Sequence, residues 1–348
     1  MAASSRPPTI NDVAEAAGVS RATASRALAG YGRVNEETTR IVKKAAAKIG
    51  YRPNEVARAM RAGKTKTIGL VVISDFTNAF FDRATKEIID AAKRHGYQTL
   101  VAHTDESIEN EKQAIRTLIE KRVDGLILVP SSDSDHEHLA ASSLGAVPVV
   151  LLDRKLPNTR FPSVTTDDYS GAVHAVEYAY NLGHRNMAFL VAVPGVEKST
   201  QSRPPIPIST VEDRTNGFLE GSDQHSLNSR MVFCKDSQEG AEAAVEELLL
   251  TGDVPSIIFT SNNDMLLAVL RVAGKLEVKI GKSLSVVSFD DSPWAAAMSP
   301  SITVISRPVD ELGRIAVEKL VQQMSDQKVS LDNVLPTSLI ERDSVARI

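Results

Sequence analysis

The chain has 348 residues, 42% of them hydrophobic and 24% charged, with a net charge of −4 and a single cysteine, Cys234. This composition excludes a disordered or fibrous chain. No apolar run approaches the roughly 18 residues of a membrane span, Met1 to Thr9 has no apolar export core, and one cysteine cannot form an internal disulfide or a cysteine-built zinc site, which fits a reducing cytosol. Residues 1–64 hold 12 Lys and Arg against 5 Asp and Glu, a net of +7, which leaves −11 on the other 284 residues. A basic head on an acidic body is the charge pattern of a polyanion-binding module.

Residues 1–8 read as a flexible arm. From Thr9, a cap with Asp12 three residues on, Ile10, Val13, Ala14 and Ala17 repeat at helical spacing. Gly18 breaks that helix, because it can take the left-handed conformation of a tight turn. Val19 plugs the turn and Ser20 caps a second helix to about Ala29. Two helices about a short glycine turn make a helix-turn-helix. A third helix starts at the cap Asn35, buries Ile41, Ala45 and Ile49, and ends at Gly50. Residues 54–65, NEVARAMRAGKT, form a basic, helix-prone linker too short to be stable alone in water.

From Thr67 the pattern alternates between strands and helices. TIGLVVI, QTLVAH, GLILVP and VPVVLL read as strands; the theme restarts after Val164 with MAFLVAV, RMVFC, SIIFT and SLSVVSF. About nine strands in two successive sets predict two α/β lobes of parallel sheet with crossover helices. Ligands bind such sheets at the carboxyl ends of the strands. Pro194, Pro204, Pro205 and Pro207 make 194–208 a loop.

Thr9-Ile10, Asp12-Val13-Ala14, Ala17-Gly18-Val19-Ser20, Thr23 and Ser25-Arg26 resemble the head signature of the lactose-repressor (LacI-type) family. The resemblance extends over nearly the whole chain, through Asn78-Ala79-Phe80-Phe81, Asp153-Arg154, Asp167, Gly183-His184-Arg185, Arg214, Asn263-Asp264 and Phe289-Asp290-Asp291. It implies a helix-turn-helix domain at 9–53, a hinge helix at 54–65, and a two-lobed, periplasmic-binding-protein-like body at 66–348. It also implies a homodimer on double-stranded operator DNA, a small-molecule effector with no cofactor, and no membrane.

The resemblance places Arg21, Ala22 and Arg26 against base edges. Arginine reads guanine bidentately and Ala22 offers only an apolar contact; phosphate contact is the alternative for both arginines. Thr9, Ser20, Thr23 and Ser25 cap helices or hold phosphates. Asn54, Ala57 and Met60 are the linker's candidate DNA contacts. Met60 stands where the family has a wedging leucine, and either wedges between base pairs or packs on the body.

The candidate effector contacts are Phe80, Phe81, Asp153, Arg154, Arg214, Asn263 and Asp290. Aromatic faces stack on sugars or bases, and the polar set supplies the donors and acceptors a polyhydroxyl ligand needs. A pentose or ribose-containing ligand is favoured, with a nucleoside or purine as the alternative. Structural readings stand beside these: an Asp153–Arg154 ion pair, Asp264 and Asp167 as helix caps, the two phenylalanines as packing. Three departures from the family bear on the pocket: Ser306 near a usual glutamine, Asn78-Ala79 for Asn-Pro, and the proline-rich insertion at its rim. Trp294 either covers the ligand or lies in the core.

The rival classes are a sugar-processing enzyme with a DNA-binding head and a plain sugar-binding protein. Gly63-Lys64-Thr65 lacks the glycine of a phosphate loop, because that position is Arg58, and Gly30-Tyr31-Gly32 meets Asn35 where a dinucleotide loop has its third glycine. No nucleophile elbow occurs. His136 and His138 read as surface residues.

Overall fold

The computed structural model describes residues 6–29, 34–51, 64–73, 79–133, 135–250 and 252–348. The chain divides into two compact units, Met1–Lys66 and Thr67–Ile348.

The first unit contains helices α1 (Ile10–Ala17), α2 (Arg21–Ala29) and α3 (Glu36–Lys48). The Asp12 carboxylate accepts the Thr9 backbone N–H at 2.6 Å and its hydroxyl at 2.8 Å, and these donors hold Asp12 below its usual pKa. Gly18 takes φ +63° and ends α1. Ser20 accepts the Thr23 N–H at 3.1 Å, and Asn35 the Thr38 N–H at 2.7 Å, closing the starts of α2 and α3. Val13, Ala14, Ala24, Ala27, Val42 and Ala46 make the core. The buried stripe of α3 is therefore rotated from the one expected: Ile41 is 42% exposed and Val42 is buried. Ala45 is buried on either reading. The alanines of α2 allow close approach, and the stripe of α3 turns to set Val42 in that core.

The second unit begins with β1 (Thr67–Val72), α4 (Ala79–Arg94), β2 (Gln98–His103), α5 (Ile108–Glu120), β3 (Gly125–Leu128), α6 (Ala141–Leu144), β4 (Val149–Leu152) and β5 (Ser163–Thr166). These build the first lobe. The second lobe follows: α7 (Asp168–Asn181), β6 (Asn186–Ala192), α8 (Ser209–Gln224), β7 (Asn228–Cys234), α9 (Gln238–Leu250), β8 (Ile257–Thr260), α10 (Asn263–Lys275), β9 (Ser285–Phe289), α11 (Pro293–Ala297) and β10 (Thr303–Ser306). The chain then returns. Helix α12 (Val309–Gln323) packs Val309, Leu312, Ala316 and Leu320 into the first lobe's core. Strand β11 (Asp332–Leu335) joins the first sheet and β12 (Ser338–Ile340) the second.

The sheet orders are β11-β5-β4-β3-β1-β2 and β12-β10-β9-β8-β6-β7. The first is parallel throughout, and the second is parallel except where β12 pairs antiparallel with β10. Twelve strands are present among the described residues, more than the sequence pattern suggests, and the two sets are not simply successive. The unexpected strands β5, β10, β11 and β12 are only three or four residues long. The chain crosses between lobes three times: at 166–168, at 306–309 and at 335–338.

Helices α7 and α8 pack closely through Gly217 and Gly221. A Cβ at Gly217 would collide with the Tyr169 carbonyl oxygen and lie 2.9 Å from the Ala172 Cβ. Gly217→Ala should therefore lower the body's stability in urea unfolding by about 1–3 kcal/mol; an unchanged midpoint would show that the helices part at no cost.

Candidate functional site

In the first unit, α2 turns Ala24 and Ala27 inward and leaves Arg21, Ala22 and Arg26 exposed. Thr23 and Ser25 are half-buried, and the Thr23 hydroxyl lies 2.9 Å from that of Ser20. Thr9 and Ser20 both serve helix starts. The exposed side of α2 thus carries two guanidiniums, Arg21 in its opening turn and Arg26 beyond it, and the Ala22 methyl, the chemistry a major-groove reading helix presents. Asn54, Ala57 and Met60 lie outside the described residues.

In the second unit, the strand ends converge on a cavity of about 260 Å³. Ile73 follows β1, Asp105 and Glu106 follow β2, and Asp153 and Arg154 follow β4. From the other lobe come Asp236 after β7, Ser261 and Asn262 after β8, Asp290 after β9, and Arg307 after β10. Four of these, Asp105, Glu106, Asp153 and Asp290, take positive φ of 51°, 56°, 67° and 71°. Non-glycine residues avoid that region, and such strain gathers at functional sites.

Arg307 lies at the floor, 5% exposed, at a crossing between the lobes. Its Nε donates to Asp290 at 2.6 Å, and its Nη1 to Asp153 at 2.5 Å. One carboxylate thus comes from each lobe. A third, Asp168 at the first crossing, stands 3.9 Å from Nη1. The guanidinium lies 3.6 Å from the centre of the Phe80 ring. Burial alone would lower the pKa of Arg307; Asp290, Asp153 and Asp168 outweigh it and hold the residue above its ordinary range. Burial also raises Asp153 against the pull of Arg307. We take this pair as ionic, since the guanidinium does not give up its proton.

The other two arginines are held in the same manner. Arg214, on α8, donates from Nε to Asp168 at 2.7 Å and from Nη1 to the Ser261 carbonyl at 2.5 Å, and lies 4.4 Å from the Phe289 ring centre. Arg154 pairs with Glu106 and donates to the Pro130 carbonyl at 3.0 Å. The Asp153–Arg154 ion pair envisaged from the sequence is replaced by Asp153–Arg307 and Arg154–Glu106.

The candidate effector residues divide. Phe81, Asp153, Arg154, Arg214 and Asp290 line the cavity. Phe80 is buried beneath Arg307, so its face stacks on a protein cation and not on open space. Asn263 is buried off the lining, between Asn262 and Asp264, which are on it; neither amide atom of Asn263 has a hydrogen-bond partner among the described residues. Asp264 is not the cap of α10: Asn262 is, accepting the Met265 N–H at 2.9 Å. Asp167 does cap α7, accepting the Ser170 N–H at 3.0 Å. Arg307 faces the cavity where Ser306 was singled out. Pro194 and Ile208, at the two ends of the proline-rich loop, reach the rim, and Pro207 accepts the Asp133 N–H at 3.0 Å. Trp294 is neither core nor lining but 38% exposed on α11. His138 is no surface residue: its Nε2 lies 2.7 Å from the buried Glu111. Among the described residues, no group of three His, Cys, Asp or Glu side chains could hold a metal, and no helix is long and apolar enough to cross a membrane.

Arg307, Asp168, Glu106 and Asp236 are absent from the sequence-derived set. One signal could have found two of them. An acid one to three residues beyond a β-run, as in Leu152-Asp153 and Phe289-Asp290, recurs in Cys234-Lys235-Asp236 and His103-Thr104-Asp105-Glu106.

Residues 9–54 match the model of bacterial regulatory proteins of the lacI family, and residues 65–342 that of periplasmic binding proteins and the sugar binding domain of the LacI family. The chain belongs to the LacI family. It is 30% identical to the ribose operon repressor of Halalkalibacterium halodurans, covering 97% of this chain and 96% of that one. It is 29% identical to catabolite control protein A of Priestia megaterium, covering 92% and 94%. The lac repressor dimer bound to operator and an anti-inducer superposes with a TM-score of 0.84 at 26% identity, over 98% of this chain and all of that one. The chain is thus a DNA-binding transcriptional regulator of LacI type, and these relatives are regulators rather than enzymes.

Two predictions follow from the cleft. Arg307→Ala leaves Asp153 and Asp290 buried without their partner, so it should destabilise the body by about 3–5 kcal/mol, read by chemical unfolding; a loss below 1 kcal/mol (on the order of a surface pair) would show that the cluster is solvated. The second concerns Asp236, whose pKa burial, then Glu106 and Asp264, push up to about 6. A carboxyl raised on folding binds more protons in the native state, so its ionisation costs stability as pH rises from about 4 through 6. Asp236→Asn should raise the melting temperature at pH 7.5 and leave it little changed at pH 4. A decrease at pH 7.5 would contradict the assignment.

Proposed function

We propose that this LacI-family regulator is a repressor. It binds a palindromic operator as a homodimer and changes its DNA affinity when a small polyhydroxyl ligand, a sugar, occupies the cleft between the lobes. The exposed side of α2, with Arg21, Ala22 and Arg26 all accessible, carries the DNA reading. Arg21 and Arg26 take base edges; Thr9, Ser20, Thr23 and Ser25 set the helices and phosphates that position them. Asn54, Ala57 and Met60 in the 54–65 linker contribute the hinge contact, and the ligand acts by changing the lobe angle and so the pairing of two linkers.

The strand-end cavity supports the effector reading. Ser261, on its lining, has a buried hydroxyl without a hydrogen-bond partner among the described residues, and leaving such an atom unpaired is costly unless a ligand or water completes it. Phe81, Asp153, Arg154, Arg214 and Asp290 are its proposed contacts, with Phe80 and Asn263 as supports behind them. A ribose-containing ligand agrees with the ribose operon repressor among the relatives. Self-association has its own support. Strand β2 is the edge of the first sheet, and it leaves Leu100 and Val101 exposed, as α4 leaves Ile89. An uncovered apolar edge invites pairing.

Selection from a random duplex pool tests the DNA reading. The full chain should enrich an inverted repeat. Arg21→Ala and Arg26→Ala should each cost about 1–3 kcal/mol of preference for one symmetric pair of positions, with the body's melting temperature unchanged. Enrichment of the same sequence to the same degree by the double variant would overturn it.

A further inference from the structure

Two hydrogen bonds join the lobes away from the chain crossings, and both end on the proline-rich connection between β6 and α8. The Asp133 N–H, after β3 of the first lobe, donates to the Pro207 carbonyl at 3.0 Å. The Lys155 N–H, after β4, donates to the Ser209 hydroxyl at 3.0 Å. The crossings run through β5 and β11 in the first sheet and through β10 and β12 in the second. Strands β4 and β3 lie one and two places beyond β5, and β6 lies three beyond β10. Neighbouring strands are about 4.8 Å apart, so rotation of the lobes about the crossings parts Asp133 from Pro207 further than it moves Arg307. Both sides of the contact are stiff. Pro194, Pro204, Pro205 and Pro207 have a fixed φ and little freedom to lose on docking. The segment is tied to the second lobe at three points. Thr200 and Phe233 of the edge strand β7 exchange backbone hydrogen bonds of 2.9 Å, the Ser199 hydroxyl donates to Glu247 on α9 at 2.6 Å, and Arg203 donates to Asn216 on α8 at 2.8 Å. On the first lobe, the buried Glu111 accepts the Ser131 N–H at 2.6 Å and stands 2.7 Å from the His138 Nε2. It thereby fixes the loop on both sides of Asp133.

We propose that residues 194–209 are a clasp between the lobes: a stiff strap of the second lobe that grips the first at Asp133 and Lys155 and sets the balance of closed and open lobes without ligand. Opening the cleft breaks both bonds, whereas the strap stays on its own lobe through Thr200, Ser199 and Arg203. Pro194 and Ile208, at the two ends of the strap, line the cavity, so a molecule seated there meets the clasp directly. The clasp concerns lobe closure itself. Only its consequence for DNA rests on the proposed coupling of lobe angle to the head.

Distance measurement between two spin labels on the full chain tests this. The labels go on Arg116→Cys of α5 and Glu239→Cys of α9, both exposed positions, and the native Cys234 is buried. Ser209→Ala removes the acceptor of one bond, and Asp133→Pro removes the donor of the other. Each should lower the closed-to-open ratio roughly five-fold, read as a growing population at longer distance, and the two together should lower it further. Pro204→Gly with Pro205→Gly slackens the strap without touching either bond and should shift the distribution the same way. An unchanged distribution in Ser209→Ala and in the double glycine variant, with cooperative unfolding retained, would overturn the proposal, as would a shift to shorter distances. Affinity of the same variants for the selected duplex separates the clasp from the proposed function. Longer distances with unchanged affinity would leave the clasp standing and remove the link from lobe angle to DNA.

Discussion

The body depends on one buried guanidinium shared between two lobes. Arg307 lies where the chain leaves the second lobe for the first, and it is held by Asp290 from one and Asp153 from the other. A buried charge without partners is expensive, so the three groups fix one another's positions. Asp153 and Asp290 reach it from strand ends in left-handed backbone conformations, a cost the ion cluster offsets. Asp168, at another crossing, links the cluster to Arg214 and through it to Ser261. The cavity, the crossings and the relative placement of the two sheets are thereby one electrostatic unit.

This arrangement supports the proposed switching role of the cleft. The Arg307, Asp153 and Asp290 side chains are buried and charge-paired. In the proposed function, a ligand in the cleft changes DNA affinity only by its differential preference for one lobe arrangement over another.

Much of the architecture was legible because it is written in local pattern. Gly18 between two helical periodicities, the caps at Thr9, Ser20 and Asn35, and the long β-runs each carry their own signal within a few residues. What was not legible is set by distant packing. Whether Ile41 or Val42 turns inward depends on which face of α3 meets the alanines of α2, about one residue's rotation that periodicity does not resolve. Strands β5, β10, β11 and β12 mix serine, threonine, aspartate and asparagine into their few residues and so lack the apolar run that marked the equally short β3, β4 and β8, and β11 and β12 exist because the chain returns across the crossings. Asn262 takes the cap instead of Asp264 by one residue. Arg307 has no motif at all; its partners Asp153 and Asp290 are far from it in the chain, and only folding shows that it occupies the floor and covers Phe80. The strand-end acids were half seen: the pattern that singled out Asp153 and Asp290 applies equally to Glu106 and Asp236.

The central claim is that the Arg307 cluster couples the cleft to the affinity for DNA. The most direct test measures binding of the selected duplex by fluorescence anisotropy, for the full chain and for Arg307→Lys, which keeps the charge but loses the planar fork that meets Asp290 and Asp153 while lying over the Phe80 ring. The head is untouched by this change. The account predicts operator affinity altered by roughly ten-fold or more, the scale of allosteric coupling, with non-specific DNA binding unchanged. Equal operator affinity in a folded Arg307→Lys chain would contradict it.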